Sequence, residues 1–149
     1  MNCMIRAMRK EDKPRVLEMM RTFYASPAVS TNGSEEIFSN DIDHCVGESP
    51  YAQGYVFEDS AGILGYAMLA KSYSTEFGKD CIWIEDLYIR EAFRGLGLGS
   101  RFFDFLSKEY TDCIFRLEVE ADNAPAVHLY KKCGFTVLPY VEMKKDCTP

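Results

Sequence analysis

The chain has 149 residues, 47% of them hydrophobic and 13% aromatic, enough apolar material for one core without disulfide staples and too much for a disordered chain. Seventeen basic against twenty-three acidic residues leave a net charge of −6, a field that repels polyanions and argues against general nucleic-acid binding. The longest strongly apolar run, Ile63 to Ala70, is too short to span a bilayer, and no basic, apolar leader precedes Ile5, so no membrane association and a cytoplasmic location are expected.

In chain order, Cys3 to Met8 is short and mostly apolar and reads as a first strand. Val16, Leu17, Met20, Phe23 and Tyr24 then recur at helical spacing, with Arg15, Glu18 and Arg21 between them and Pro14 suited to a first turn. Ser26-Pro27 and Thr31-Asn32-Gly33-Ser34 mark a loop before a shorter helix that carries Ile37, Phe38, Ile42 and Cys45. Gly54 to Glu58 and Ile63 to Ala70, separated by Asp59-Ser60-Ala61-Gly62, have the pattern of a hairpin. A loop over Tyr73 to Asp80 leads to Cys81 to Ile89, a β-branched and aromatic run expected to be a central strand.

Past a glycine-rich segment, Leu98, Phe102, Phe105 and Leu106 share one helical face. Cys113 to Val119 reads as a strand, Pro125 to Lys132 as a short helix, and Phe135 to Leu138 with Tyr140 to Met143 as closing β elements. The order β-α-α-β-β-β-α-β-α-β predicts an α/β fold of the α+β kind, a mixed sheet covered by helices. No composition shift marks a linker, so residues 1–149 are expected to be a single domain.

Cys3, Cys45, Cys81, Cys113, Cys133 and Cys147 show no C-x-x-C spacing, and His44 and His128 stand apart. No metal site is expected, and the thiols read as reduced, small hydrophobes.

Arg94-Gly95-Leu96-Gly97-Leu98-Gly99-Ser100 lies between a strong strand and a strong helix, where free N–H groups and the helix dipole can face one anion. Side chains at Gly97 or Gly99 would keep a diphosphate from the backbone or strain it, and Arg94 adds a charge-assisted contact. A dinucleotide fingerprint would need G-x-G-x-x-G near the first strand, but here the last position is Ser100 and the loop comes late. A Walker loop fails as well, because Gly99 is followed by Ser100 and Arg101.

With Arg94, Gly97 and Gly99 in a Q/R-x-x-G-x-G/A pattern at such a junction, the sequence resembles the GCN5-related N-acetyltransferase (GNAT) superfamily. Asn123, Ala126, Tyr130, Gly134 and Phe135 reproduce a second signature of that family, N-x-x-A-x-x-x-Y-x-x-x-G-F. The resemblance implies a central, mostly antiparallel sheet with a splayed parallel pair, flanked by about four helices. It implies acetyl-CoA as cofactor, with coenzyme A as product. Its diphosphate would be held by Arg94, Gly95, Leu96, Gly97, Leu98, Gly99 and Ser100, and its pantetheine arm would run along Leu87, Tyr88 and Ile89. An N–H of Leu87 or Tyr88 would polarise the thioester carbonyl.

Asn123 would cap the following helix or contact the pantetheine, and Ala126 is small enough to admit the cofactor. By the same resemblance Tyr130 protonates the departing thiolate. Tyr24, Tyr66 and Tyr88 read as packing aromatics.

Amine acetylation also needs a base. Glu85 and Asp86 point to opposite faces of a regular strand, so one of them faces the cleft unless a bulge intervenes, and Glu85 is the stronger base candidate. Lys71 to Lys79 together with Trp83 to Tyr88 look like the diamine and thialysine acetyltransferase branch, in which the acidic pair handles the amine.

The expected function is direct transfer of an acetyl group to a primary amine, of a small polyamine, diamine or amino-acid-like molecule, without a covalent enzyme intermediate. Two alternatives stay open: an acyl-CoA-binding sensor without turnover, and acetylation of protein N-termini or lysines. The closing region Phe135 to Tyr140 is a candidate homodimer contact.

Overall fold

Five strands lie side by side in chain order in a computed structural model that describes residues 2–31 and 33–149: β1 (Met4–Ala7), β2 (Ala52–Asp59), β3 (Gly62–Ser74), β4 (Lys79–Ile89) and β5 (Cys113–Leu117). Asn32, in the loop expected between the first two helices, falls outside the described residues, as does Met1. The first three pairings are antiparallel and the last, β4 with β5, is parallel. A parallel pair needs a crossover, and α3 (Leu98–Glu109) supplies it.

Both faces of the sheet are covered, which explains why β2 and β3 read as continuous apolar runs rather than alternating ones. Tyr55, Phe57, Ala67 and Leu69 pack on one face against Leu98, Phe102 and Leu106 of α3, with Leu129 and Tyr130 of α4 (Ala124–Lys132) at the margin. Val56, Tyr66 and Met68, at the alternate positions, pack with Tyr88 of β4 on the other face against Val16 and Met20 of α1 (Lys13–Tyr24) and Phe38 and Ile42 of α2 (Glu35–Val46). The mixed sheet, its parallel pair and its four helices are those that the family resemblance implied.

Two expectations fail. The loop placed at Tyr73 to Asp80 is only a four-residue turn, Thr75 to Gly78, because the strands run on to pair Tyr73 with Asp80 and Ser74 with Lys79. Residues without apolar alternation there pair through their backbones. The closing β elements at Phe135 to Leu138 and Tyr140 to Met143 are absent, and the segment after α4 forms no strand. Pro139 between the two runs donates no N–H, and Val137, Val141 and Met143 are at least 80% exposed, so the alternation meets no face to pack on. This tail helps to explain an accessible surface of 9783 Å², against about 7,700 Å² for a compact chain of this mass. Among the described residues, no helix is long and apolar enough to cross a membrane.

Candidate active site

Strands β4 and β5 part company halfway. Their pairing runs from Asp80–Cys113 to Ile84–Leu117 and ends there, while β4 continues to Ile89. At the point of parting β4 carries a bulge: Ile84 pairs with Leu69 and Asp86 with Met68, so Glu85 has no partner on β3. The bulge answers the question left by strand alternation, because Glu85 and Asp86 line one hollow together.

Beyond the bulge the backbone alternates regularly. The Arg90 N–H donates to the Leu64 carbonyl, so Arg90 and, two residues back, Tyr88 turn their polar groups toward β3. Ile89 turns the other way, and its carbonyl accepts from Arg94 Nε at 2.8 Å. By the same alternation Leu87 presents its N–H to the open side. Of the two proposed carbonyl-polarising donors, Leu87 therefore faces the gap and Tyr88 does not.

One side of this gap is a groove of about 810 Å³ that reaches from Leu87, Tyr88 and Ile89 past the glycine-rich turn to α4. Gly95 (φ +77°) and Gly97 (φ +80°) are left-handed, and a Cβ on either would meet no atom within 4 Å, so the turn leaves room for a ligand. Gly97 caps α3 without a side-chain hydrogen bond, and the first helical bond runs from Arg101 N–H to the Gly97 carbonyl. The N–H groups of Leu98, Gly99 and Ser100 precede that bond and stay available to an anion.

Gly99 lines the groove as well, and a Cβ there would sit 2.7 Å from Leu129 Cδ2, so its smallness also lets α3 and α4 approach. Arg94 is exposed at the rim, its guanidinium carbon 5.5 Å from the Tyr88 ring centroid. Leu96, 53% exposed, does not line the groove. An elongated ligand with an anionic diphosphate fits this turn, which is the shape and charge of acetyl-CoA.

Asn123 caps α4, its side chain accepting from the Ala126 N–H at 3.4 Å, and both residues line the groove. Tyr130 lines it too, with its ring edge-on to Phe103 and Phe135, each 5.9 Å away between centroids. Burial raises the pKa of the Tyr130 hydroxyl, which keeps it a proton donor.

The other side of the gap is a smaller hollow of about 390 Å³ between β3, β4 and α2. Asp86 lies buried at its base and accepts from the hydroxyls of Tyr24 (2.9 Å) and Tyr66 (2.7 Å). Burial pushes Asp86 up to about 6, and the two hydroxyls hold it from rising further. Glu85 is exposed at the mouth, and its pKa is raised by desolvation first, then by the charges of Asp86 and Glu142. Among the described residues, neither carboxylate has a Lys or Arg within ion-pair distance.

The structure thus gathers Tyr130, Asn123, Ala126, the glycine-rich turn and Leu87 to Ile89 around one groove, and Glu85 with Asp86 in the hollow beside it. Sequence reading missed Asp41 in the hollow and Glu118 with Glu142 near Glu85. Tyr24 and Tyr66, taken for packing aromatics, also hold a buried carboxylate. No local signal marks this arrangement, because the hydroxyls that satisfy Asp86 come from residues 62 and 20 positions away in sequence.

A sequence profile described as "Acetyltransferase (GNAT) family" matches residues 15–135. A thialysine N-epsilon-acetyltransferase from Sus scrofa is 31% identical over 144 residues, 88% of this chain and 82% of the relative. Among solved structures, a possible acetyltransferase from Clostridium difficile 630 superposes with a TM-score of 0.83 at 14% identity, over 99% of both chains. The aminoglycoside N-acetyltransferase AAC(6')-Iy in complex with CoA superposes with a TM-score of 0.81 at 10% identity, over 99% of this chain and 96% of that one.

Proposed function

Because the chain belongs to the GNAT acetyltransferase family, we propose that it acetylates a primary amine of a small polyamine, diamine or amino-acid-like molecule, with amine and cofactor held together in one cleft. The observation that carries this reading is the end of the β4–β5 pairing at Ile84–Leu117, which opens an acidic hollow and an anion-ready groove onto consecutive residues of one strand. Adjacent sites for two reactants turn a bimolecular encounter into a positioned one.

Acetyl-CoA, when bound, supplies an acetyl group activated as a thioester. Leu98, Gly99 and Ser100 N–H groups with Arg94 hold its diphosphate, and Leu87 and Ile89 align its arm. The negative hollow draws an ammonium ion in, and Glu85 Oε accepts its proton to leave a nucleophilic nitrogen. A raised Glu85 pKa makes that acceptance easier. The Leu87 N–H donates to the carbonyl oxygen as charge builds there. Tyr130 Oη gives its proton to the departing sulfur. One N–C bond forms as one C–S bond breaks. On the way from ammonium to amide the nitrogen loses two protons, one to Glu85 before attack and one after it that replaces the proton Tyr130 gives to sulfur, so one proton is released to solvent in net.

The six unpaired cysteines, three of them buried, suit a reducing cytoplasm. A thiol-release assay with acetyl-CoA against polyamines, diamines, amino acids and peptides tests the reading. Amine-dependent release is the expected result. Calorimetric acetyl-CoA binding with no release from any amine would overturn it in favour of a sensor.

A further inference from the structure

Resting on that acetyl-transfer reading, we infer that Asp41 sets substrate choice by holding a second, non-reacting ammonium group, and that the preferred substrate is a linear diamine or polyamine without a carboxylate. Helix α2 presents four acids near its neighbours, and two of them are already matched: Glu35 bonds Arg21 and Asp43 bonds Lys13 Nζ at 2.7 Å, both bases on α1. Glu36 faces solvent. Asp41 instead borders the hollow, half-buried, and among the described residues it has no Lys or Arg within ion-pair distance.

The other two carboxylates of the hollow have their own tasks. Both Asp86 oxygens accept tyrosine hydroxyls, which fixes that charge at the base, and Glu85 stands at the splay where the reacting nitrogen must sit. Asp41 is the carboxylate left without an assignment. Burial raises its pKa and the charge of Glu85 raises it further, while His44 acts in the opposite direction, so an arriving cation would relieve an uncompensated charge.

The hollow that Asp41 and Glu85 share is also lined by apolar Met68, Leu69 and Ala70, which suits a methylene chain carrying a nitrogen at each end. Among the described residues, the lining of the hollow includes no Lys or Arg, and His44 is its only basic side chain. A substrate carboxylate would enter beside three acids with no strong cation to receive it. This sets the expected preference apart from the amino acid named for the Sus scrofa relative.

Three matched substrates decide the matter: pentylamine, 1,5-diaminopentane and lysine, which differ by one amine and then one carboxylate. We expect kcat/KM for 1,5-diaminopentane to exceed that for each of the others by about 10- to 100-fold, the worth of one charged contact. The Asp41→Asn variant should bring the diaminopentane-to-pentylamine ratio close to one. Glu36→Gln, on the solvent side of α2, should leave it unchanged. Calorimetric titration of 1,5-diaminopentane into the protein, wild type against Asp41→Asn, reads the same contact without turnover.

Equal kcat/KM for pentylamine and diaminopentane, a preference for lysine, or an unaltered ratio in Asp41→Asn would each overturn the assignment while leaving acetyl transfer standing. Thiol release from none of the three, with diaminopentane binding intact and dependent on Asp41, would instead overturn the acetyl-transfer reading.

Discussion

The two hollows that meet on β4 are built from different materials. What the groove toward α3 and α4 offers an anionic ligand is chiefly backbone: left-handed glycines, three helix N–H groups and the Leu87 and Ile89 main chain. The hollow toward α2 is made of side-chain charge, with Asp41, Glu85 and Asp86 drawn from a helix and a bulged strand. Main-chain donors recognise what every member of a family shares, and side-chain charges recognise what distinguishes one substrate from another. A substitution on the groove side should therefore change cofactor affinity or the chemical step, and one on the acidic side should change which amine is used.

The sharpest break in this comparison is expected at Tyr130, on the groove side. Tyr130→Phe keeps the ring packing on Phe103 and Phe135 and removes only the proton, so kcat should fall by about 10²- to 10⁴-fold with the affinity for coenzyme A nearly unchanged. Stopped-flow acetyl transfer with a parallel coenzyme A titration measures both. An unchanged kcat would end the proton-donor role.

On the acidic side the leading effect is a pH dependence. Folding raises Asp86 from 3.8 to about 6, so between those values the folded chain binds more protons than the unfolded one. Its contribution is present in full below about pH 4 and is lost as pH rises through about 6, a change of order 3 kcal/mol. Guanidinium unfolding of wild type and Asp86→Asn across this window isolates the effect, because Asn cannot ionise. Parallel stability curves for the two proteins would show that Asp86 titrates normally.

The groove's own glycines should separate next. Gly97→Ala forces a left-handed residue into open space, costing about 1–2 kcal/mol of stability and weakening coenzyme A binding through the displaced N–H groups. Gly99→Ala meets Leu129 instead, so it should shift the α3–α4 packing and lower the melting temperature before it touches affinity. Thermal unfolding paired with coenzyme A titration tells the two apart.

The smallest change serves as a reference for both sides. Ser34 caps α2 by accepting the Ile37 N–H at 3.2 Å, and Ser34→Ala should cost about 1 kcal/mol without altering coenzyme A affinity.

Legibility differed between the two sides for a physical reason. The groove was readable because its residues are close in sequence: Arg94, Gly97 and Gly99 within one turn, Asn123, Ala126 and Tyr130 within one helix. The hollow was half-readable. Glu85 and Asp86 are adjacent, but Tyr24, Asp41 and Tyr66 reach them from three other elements, and no local spacing marks such a meeting. The closing strands were misread because apolar alternation over Phe135 to Met143 is a property of the segment alone, whereas a strand also needs a partner edge and a face to pack on.

What the amino-acid order determined without help was local: helix periods, turn glycines, capping residues and the anion-binding turn, all set by interactions a few residues long. Tertiary structure alone decided where β5 leaves β4, how the bulge at Glu85 turns two consecutive carboxylates into one hollow, and that two tyrosines surround Asp86. Those outcomes depend on contacts between distant segments, whose energies no short stretch of chain contains.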